Sequence, residues 1–240
     1  MPISLKSAEP TPRDAITGED PTDTSSELKF DVRIPSGTST LEGVLSVPQG
    51  ATGLVLFVHG SGSSRFSPRN QYVARFLHDA GIATLLFDLL TAEEESVDNR
   101  TRALRFDIEL LSSRLLDATN WVRDRADIRH LKVGYFGAST GGGAALMAAA
   151  RAGEDIRAIV SRGGRPDLAG ALLAQVRSAT LLIVGGMDHQ VIELNVQAIA
   201  RMNCEAQLRL VQGATHLFEE PGALEEVAKL AVDWFVQHLR

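Results

Sequence analysis

The sequence predicts an α/β fold, a mostly parallel sheet with helices on both faces. Three observations carry this. Continuous apolar runs of strand length recur at 53–59 (GLVLFVH), 82–88 (IATLLFD) and 179–186 (ATLLIVGG), the pattern of strands buried on both faces. Amphipathic stretches of helical period lie between them. Short glycine-containing turns join the two kinds of segment, as in sheets built from parallel crossover units.

Residues 1–27 are rich in Pro, Thr, Ser, Asp and Glu and show no apolar period. They read as a flexible N-terminal arm, with residues 28–240 forming one domain. LKFDVRI and TLEGVLSVP alternate apolar and polar residues around Pro35-Ser36-Gly37, which predicts a hairpin-like pair of edge strands. The run 53–59 ends in His59-Gly60-Ser61-Gly62-Ser63-Ser64. A helix follows from about Pro68, with Tyr72, Val73, Phe76 and Leu77 on one face, and stops at Gly81. The strand 82–88 leads into an acidic loop, Thr91 to Asp98. A long helix is expected from about Arg102 to Arg125, with Leu104, Ile108, Leu111, Leu115 and Val122 as its inward stripe. Leu131 to Ala150 (LKVGYFGASTGGGAALMAAA) predicts a strand, a sharp turn and a small-residue helix. IRAIVS is a further strand, Asp167 to Val176 a short helix, Val191 to Met202 a helix, EAQLRLVQ the last strand and Ala223 to Leu239 the closing helix. Between Ser161 and Thr180 there is room for one helix and no large lid, so an open site is expected.

At 240 residues the chain suits one domain with a full core, and 44% hydrophobic with 22% charged residues is ordinary for a globular protein. A net charge of −6 gives no reason to expect nucleic acid or an acidic membrane surface as partner. Cys204 is the single cysteine, which excludes an intrachain disulfide and a cysteine-based metal site; packing near a helix end is expected of it. The N-terminus does not read as a secretory signal and no apolar run approaches membrane-spanning length, so the expected setting is cytoplasmic. The histidines and carboxylates lack the spacing of a helical metal site, and neither metal nor cofactor is called for.

The chemistry gathers at Gly137-Ala138-Ser139-Thr140-Gly141. A G-x-S-x-G turn between strand and helix is the context of a nucleophile elbow, in which a serine hydroxyl stands exposed at the sheet top with a helix N-terminus behind it. A serine nucleophile needs a base and an orienting carboxylate, in later loops and in that chain order. Asp188 follows LLIVGG and His216 follows LRLVQGAT, both just past predicted strands, where a parallel sheet collects its functional groups. Asp167, after the preceding strand, is a competing acid. His189 reads as a rim residue and His59 as a core histidine bonded to backbone. His78, His130 and His238 read as structural. The oxyanion of a tetrahedral intermediate needs two N–H donors. Thr140 offers one and Ser61 the other, with Gly60 and Gly62 permitting close backbone approach.

These segments resemble the α/β-hydrolase superfamily and, within it, the dienelactone-hydrolase-like group. The resemblance covers about Leu28 to Arg240 and rests on HGSGSSRFSPRN, ATLLFDLLT, GYFGASTGGGAA, VSRGGRPDL, VGGMDHQV and GATHLFEEPG. It implies an eight-stranded sheet, the triad Ser139, Asp188 and His216, and hydrolysis of an ester or related acyl group. Dienelactone hydrolases carry cysteine in G-x-C-x-G-G, whereas this chain carries Ser139; the departure favours serine-esterase chemistry on small esters, lactones or thioesters. Relatives of this subgroup occur alone or fused to phosphoribosyltransferase-like domains, and no stretch here reads as one. For the substrate, Gly62, Arg65, Arg162 and Arg165, with Arg69 near them, are candidate contacts for a carboxylate or phosphate. The competing and favoured reading pairs these arginines with Asp88, Asp167 or the acidic 93–95 stretch as structural salt bridges. Two further readings stay open: a non-catalytic module acting with a partner enzyme, and acyl transfer or perhydrolysis from the same acyl-enzyme. A homodimer through an edge strand or the last helix is compatible with the pattern.

Overall fold

The apolar runs become the inner strands of one sheet. The computed structural model describes residues 28–240, and the expected arm, residues 1–27, lies outside the described residues. The strands are β1 (Leu28–Ser36), β2 (Ser39–Val47), β3 (Gly53–Val58), β4 (Ile82–Phe87), β5 (Lys132–Ala138), β6 (Ile156–Arg162), β7 (Ala179–Gly185) and β8 (Ala206–Val211). They form one eight-stranded sheet in the order β1-β2-β4-β3-β5-β6-β7-β8. β2 runs antiparallel to β1 and β4, and the pairings from β4 through β3 to β8 are parallel. This is the eight-stranded, mostly parallel sheet that the resemblance implied.

Every residue of β3 and β4 is buried, as strands covered on both faces must be. Leu54, Leu56 and Val58 point to one face of β3, and Val55 and Phe57 to the other, because successive side chains of a strand alternate. The first face is covered by α3 (Ile108–Asp124) and α4 (Thr140–Ala152), the second by α1 (Pro68–Asp79) and α6 (Ala223–Leu239). Each fully buried Leu or Phe in these layers contributes about 2 kcal/mol of hydrophobic stabilisation. α5 (His189–Ile199) packs beside β7 and β8.

The connection after β4 departs from expectation. Thr91–Asp98 is not a loop: α2 spans Ala92–Thr101. Thr91 Oγ1 accepts from the Glu94 N–H (3.3 Å) and the Glu94 carboxylate accepts from the Thr91 N–H (2.8 Å), a reciprocal cap worth enough to start a helix with no apolar face. Arg102, in left-handed geometry, ends it, so α3 begins only at Ile108, where the Asp107 carboxylate caps the Leu110 N–H (3.0 Å). Leu104 therefore lies in a short 3₁₀ turn and not on the inward stripe. Asp98 holds that turn by accepting from the Leu104 and Arg105 amides and the Arg105 guanidinium. Burial would raise this carboxyl, yet those donors outweigh it and hold it below its ordinary range. The expected helix after β6 is instead a pair of 3₁₀ turns over Pro166–Gln175, kinked at Gly170, which leaves no large lid among the described residues.

Cys204 is half-buried in the turn before β8, with Sγ 4.0 Å from Thr180 Oγ1. Among the described residues no helix is long and apolar enough to cross a membrane. The carboxyl ends of β3, β5, β6, β7 and β8 open on the same edge of the sheet, and α4 starts there with Gly141 pressed against β3. A Cβ at Gly141 would overlap the Val58 carbonyl oxygen and come within 2.6 Å of that of His59. Gly141→Ala is therefore expected to cost about 3 kcal/mol, measured as a fall in the denaturant midpoint; an unchanged midpoint would show that α4 can move away from β3.

Candidate active site

Ser139 follows β5 directly and stands at the N-cap of α4 with φ 51° and ψ −121°, a conformation that costs a non-glycine residue about 1–3 kcal/mol. The surrounding backbone holds it there. The Ser139 N–H donates to the Arg162 carbonyl (3.1 Å), and the Ser139 carbonyl accepts from the Gly142 (3.0 Å) and Arg165 (3.1 Å) amides. Close approach of the turn to the helix needs glycine at 137, where a Cβ would come within 2.6 Å of the Gly141 oxygen and the Gly142 Cα.

Asp188 and His216 arrive in the loops after β7 and β8, and main-chain bonds join those loops: Gly186 N–H to the Val211 carbonyl (2.8 Å) and Met187 N–H to that of Ala214 (2.9 Å). Together they complete a chain of hydrogen bonds. Asp188 Oδ2 lies 2.6 Å from His216 Nδ1, and His216 Nε2 lies 3.3 Å from Ser139 Oγ. The carboxylate is mostly buried (15% exposed) while the imidazole opens to solvent (39%), so the acid is shielded and the base accessible. Asp167, the competing acid, is closed by a bidentate pair with Arg165 (2.8 and 2.7 Å). His189 is exposed at the start of α5.

A cleft of about 250 Å³ opens beside Ser139 and His216, lined also by Gly60, Ser61, Ser67, Asn70 and Arg162. Thr140, at the first position of α4, presents its N–H beside Ser139. The Ser61 N–H is not open: it donates to Thr140 Oγ1 at 3.0 Å. The substrate-contact candidates divide. Arg162 lines the cleft, but Arg65 is drawn away by Asp88 and Glu42, Arg165 by Asp167, and Gly62 lies instead over Arg105. For Arg65 and Arg165 the salt-bridge reading is the one the structure shows. Ser67, Asn70 and Leu217, also at the cleft, were not singled out from the sequence. The Ser67-Pro68 pair, a helix cap followed by proline at the first position, was the available signal for the first two.

The family model for the dienelactone hydrolase family matches residues 41–239. The chain belongs to the dienelactone hydrolase family. A dienelactone hydrolase of known structure from Anabaena variabilis is 58% identical, with a TM-score of 0.88, over 89% of this chain and 99% of that one. A dienelactone hydrolase-like promiscuous phosphotriesterase from metagenomic libraries shares the fold (TM-score 0.72) at 18% identity, over 89% of this chain and 99% of that one. A Mycobacterium tuberculosis protein with a provisional phosphoribosyl transferase name is 59% identical over 87% of this chain. The chain spans 46% of that relative, a little under half its length.

Within this dienelactone hydrolase fold His59 braces the site from behind. It is buried, donates from Nδ1 to the Gly60 carbonyl (3.0 Å) and accepts at Nε2 from the Leu89 amide (3.1 Å). Acceptance at Nε2 requires the neutral ring. Desolvation pulls its pKa below the ordinary value, against the Gly60 bond and the Asp88 and Glu95 charges. A depressed histidine pKa means that the unfolded chain takes up the proton first. Its stabilising contribution is thus full above about pH 6.5 and lost as pH falls through that value toward the folded pKa. Between pH 7.5 and 5.5 the wild type is expected to lose more unfolding free energy than His59→Gln, read from urea titrations; parallel losses would assign the acid sensitivity elsewhere.

Proposed function

We propose that this chain is a cytoplasmic serine hydrolase of small carboxylic esters, working through an acyl-enzyme. The observation that carries the reading is the unbroken hydrogen-bonded series from Asp188 through His216 to a serine held at an elbow. Membership of a hydrolase family and the esterase-type fold support it. The transferase name of the tuberculosis relative belongs to a chain about twice as long, and the reading rests on the half that is shared.

In this mechanism Asp188 fixes the His216 tautomer by accepting from Nδ1–H, leaving Nε2 to take the Ser139 proton as Oγ attacks the ester carbonyl. The Thr140 and Ser61 amides hold the oxyanion, with Ser61 exchanging the Thr140 hydroxyl for it. His216 returns its proton to the leaving alcohol, then deprotonates the water that releases the acid. The open cleft and the 3₁₀ turns in place of a lid favour short acyl groups over long lipids.

Ser139→Ala is expected to abolish labelling by a fluorescent phosphonate probe and to lower kcat on short-chain p-nitrophenyl esters by about 10³-fold or more. Turnover within tenfold of wild type, in a folded variant, would remove Ser139 from the mechanism. A folded wild type that neither labels nor turns over would instead favour a module acting with a partner enzyme.

A further inference from the structure

The buried stripe of α5 consists of Val191, Asn195 and Ala198, and the residue at its centre is polar. Asn195 is fully buried. Its Nδ2 donates to the Val191 carbonyl one turn back (2.7 Å) and to the Gly164 carbonyl in the turn after β6 (3.1 Å). Both partners are acceptors, which fixes the orientation of the amide. Oδ1, on the other side, is buried with no hydrogen-bond partner among the described residues. A half-satisfied amide inside the protein is costly, and a leucine would complete the apolar stripe without that cost. Packing of α5 therefore does not call for asparagine, whereas the Gly164 carbonyl does: among the described residues Asn195 is its one hydrogen-bond donor.

That carbonyl sits in the middle of a turn that borders both reacting side chains. On one side of it, the Arg165 N–H donates to the Ser139 carbonyl (3.1 Å). On the other, Gly163 (φ 55°) passes against the His216 ring, where a Cβ would lie 3.4 Å from Cε1 and 3.5 Å from Nδ1. The Gly163 N–H is in turn held by the Ile183 carbonyl of β7 (2.7 Å). α5 also begins at the acid. Asp188 is its N-cap residue, and the Asp188 carbonyl accepts from the Ile192 N–H (2.9 Å). Asp188 and Asn195 are seven residues apart, two turns along one face of the helix. One helix thus carries the carboxylate directly and, through Asn195, grips the turn that lies between the base and the nucleophile.

We propose that Asn195 is a positioning residue, which sets the spacing of Ser139 and His216 by holding the 163–165 turn through the Gly164 carbonyl. The spacing of 3.3 Å between Ser139 Oγ and His216 Nε2 is already at the long end for a hydrogen bond, so a small shift of the turn breaks it. The kinetic consequence rests on the serine-hydrolase reading; the geometric one does not.

Variants of the full-length protein separate this role from stability alone. Asn195→Ser keeps a donor for Val191, since a helical serine bonds the carbonyl one turn back, but is too short to reach Gly164. On short-chain p-nitrophenyl esters it is expected to lower kcat about tenfold to a hundredfold, with KM within about threefold of wild type. Labelling of Ser139 by the phosphonate probe should slow in parallel. Asn195→Gln, which carries the same amide on a longer stem, should recover part of kcat. Thr119→Val is the stability control. It removes the buried hydrogen bond between the Thr119 and Tyr135 hydroxyls (2.6 Å), and should lower the denaturant midpoint while kcat stays within about twofold of wild type. Crystal structures of wild type and Asn195→Ser give a readout independent of turnover: the 163–165 turn should move, and Ser139 Oγ and His216 Nε2 should part beyond hydrogen-bond reach. A folded Asn195→Ser with kcat within about twofold of an active wild type, or with the serine–imidazole spacing unchanged, would overturn the role. If the wild type neither labels nor turns over, the hydrolase reading fails and the two crystal structures alone decide for or against Asn195. Should Asn195→Ser fail to fold, Asn195→Leu, which fills the stripe, is read by the same criteria.

Discussion

The site depends on a backbone that one residue would not adopt alone. Ser139 keeps its strained conformation because three main-chain hydrogen bonds fix both sides of its peptide frame. Those bonds come from β6, from the turn after it and from α4, so the serine backbone is tied into the centre of the sheet. The absence of side chains at Gly137 and Gly141 then lets α4 begin almost in contact with β3. The strain is local, and its compensation is spread across the fold.

Charge is placed just as selectively. Three of the arginines near the mouth are neutralised by carboxylates from their own or neighbouring segments, while Arg162 is left with an amide oxygen and an aromatic ring. Asp188 and Asp167 show the same economy of position. Each follows a strand and each is carboxylate-bearing, but one is engaged by a guanidinium two residues away and the other by an imidazole from the next loop. Local chain geometry, not residue type, decides which acid faces the histidine.

Much of this was legible in the sequence. Fully apolar runs such as GLVLFV and IATLLF cannot be surface strands, and their alternation with amphipathic segments leaves few topologies besides a parallel sheet. The Ser139, Asp188 and His216 positions could be read because strand ends are where such a sheet gathers polar groups. α2 was not legible from periodicity, since AEEESVDNRT has no apolar face; its signal was the Thr91–Glu94 cap, a matter of two side chains and two amides. The arginine partners were harder still. Glu42, Asp88 and Arg65 meet only because β2 pairs with β4, a contact that no local pattern encodes. Ser67 and Asn70 reached the cleft through the direction of α1, which depends on its packing against α6.

The bond between the Ser61 amide and the Thr140 hydroxyl gives the resting pocket a stand-in occupant. An amide pointed at empty space would recruit water and turn toward it, and would have to be reoriented each time a ligand arrived. Here an oxygen of the protein already occupies that direction, and the bond ties the loop between β3 and α1 to the first residue of α4. In the proposed mechanism an incoming carbonyl oxygen replaces one acceptor with another, and little of the surrounding dipole field needs to rearrange. Position 140 thus links the loop to the start of α4, and its hydroxyl sets how readily the amide is released.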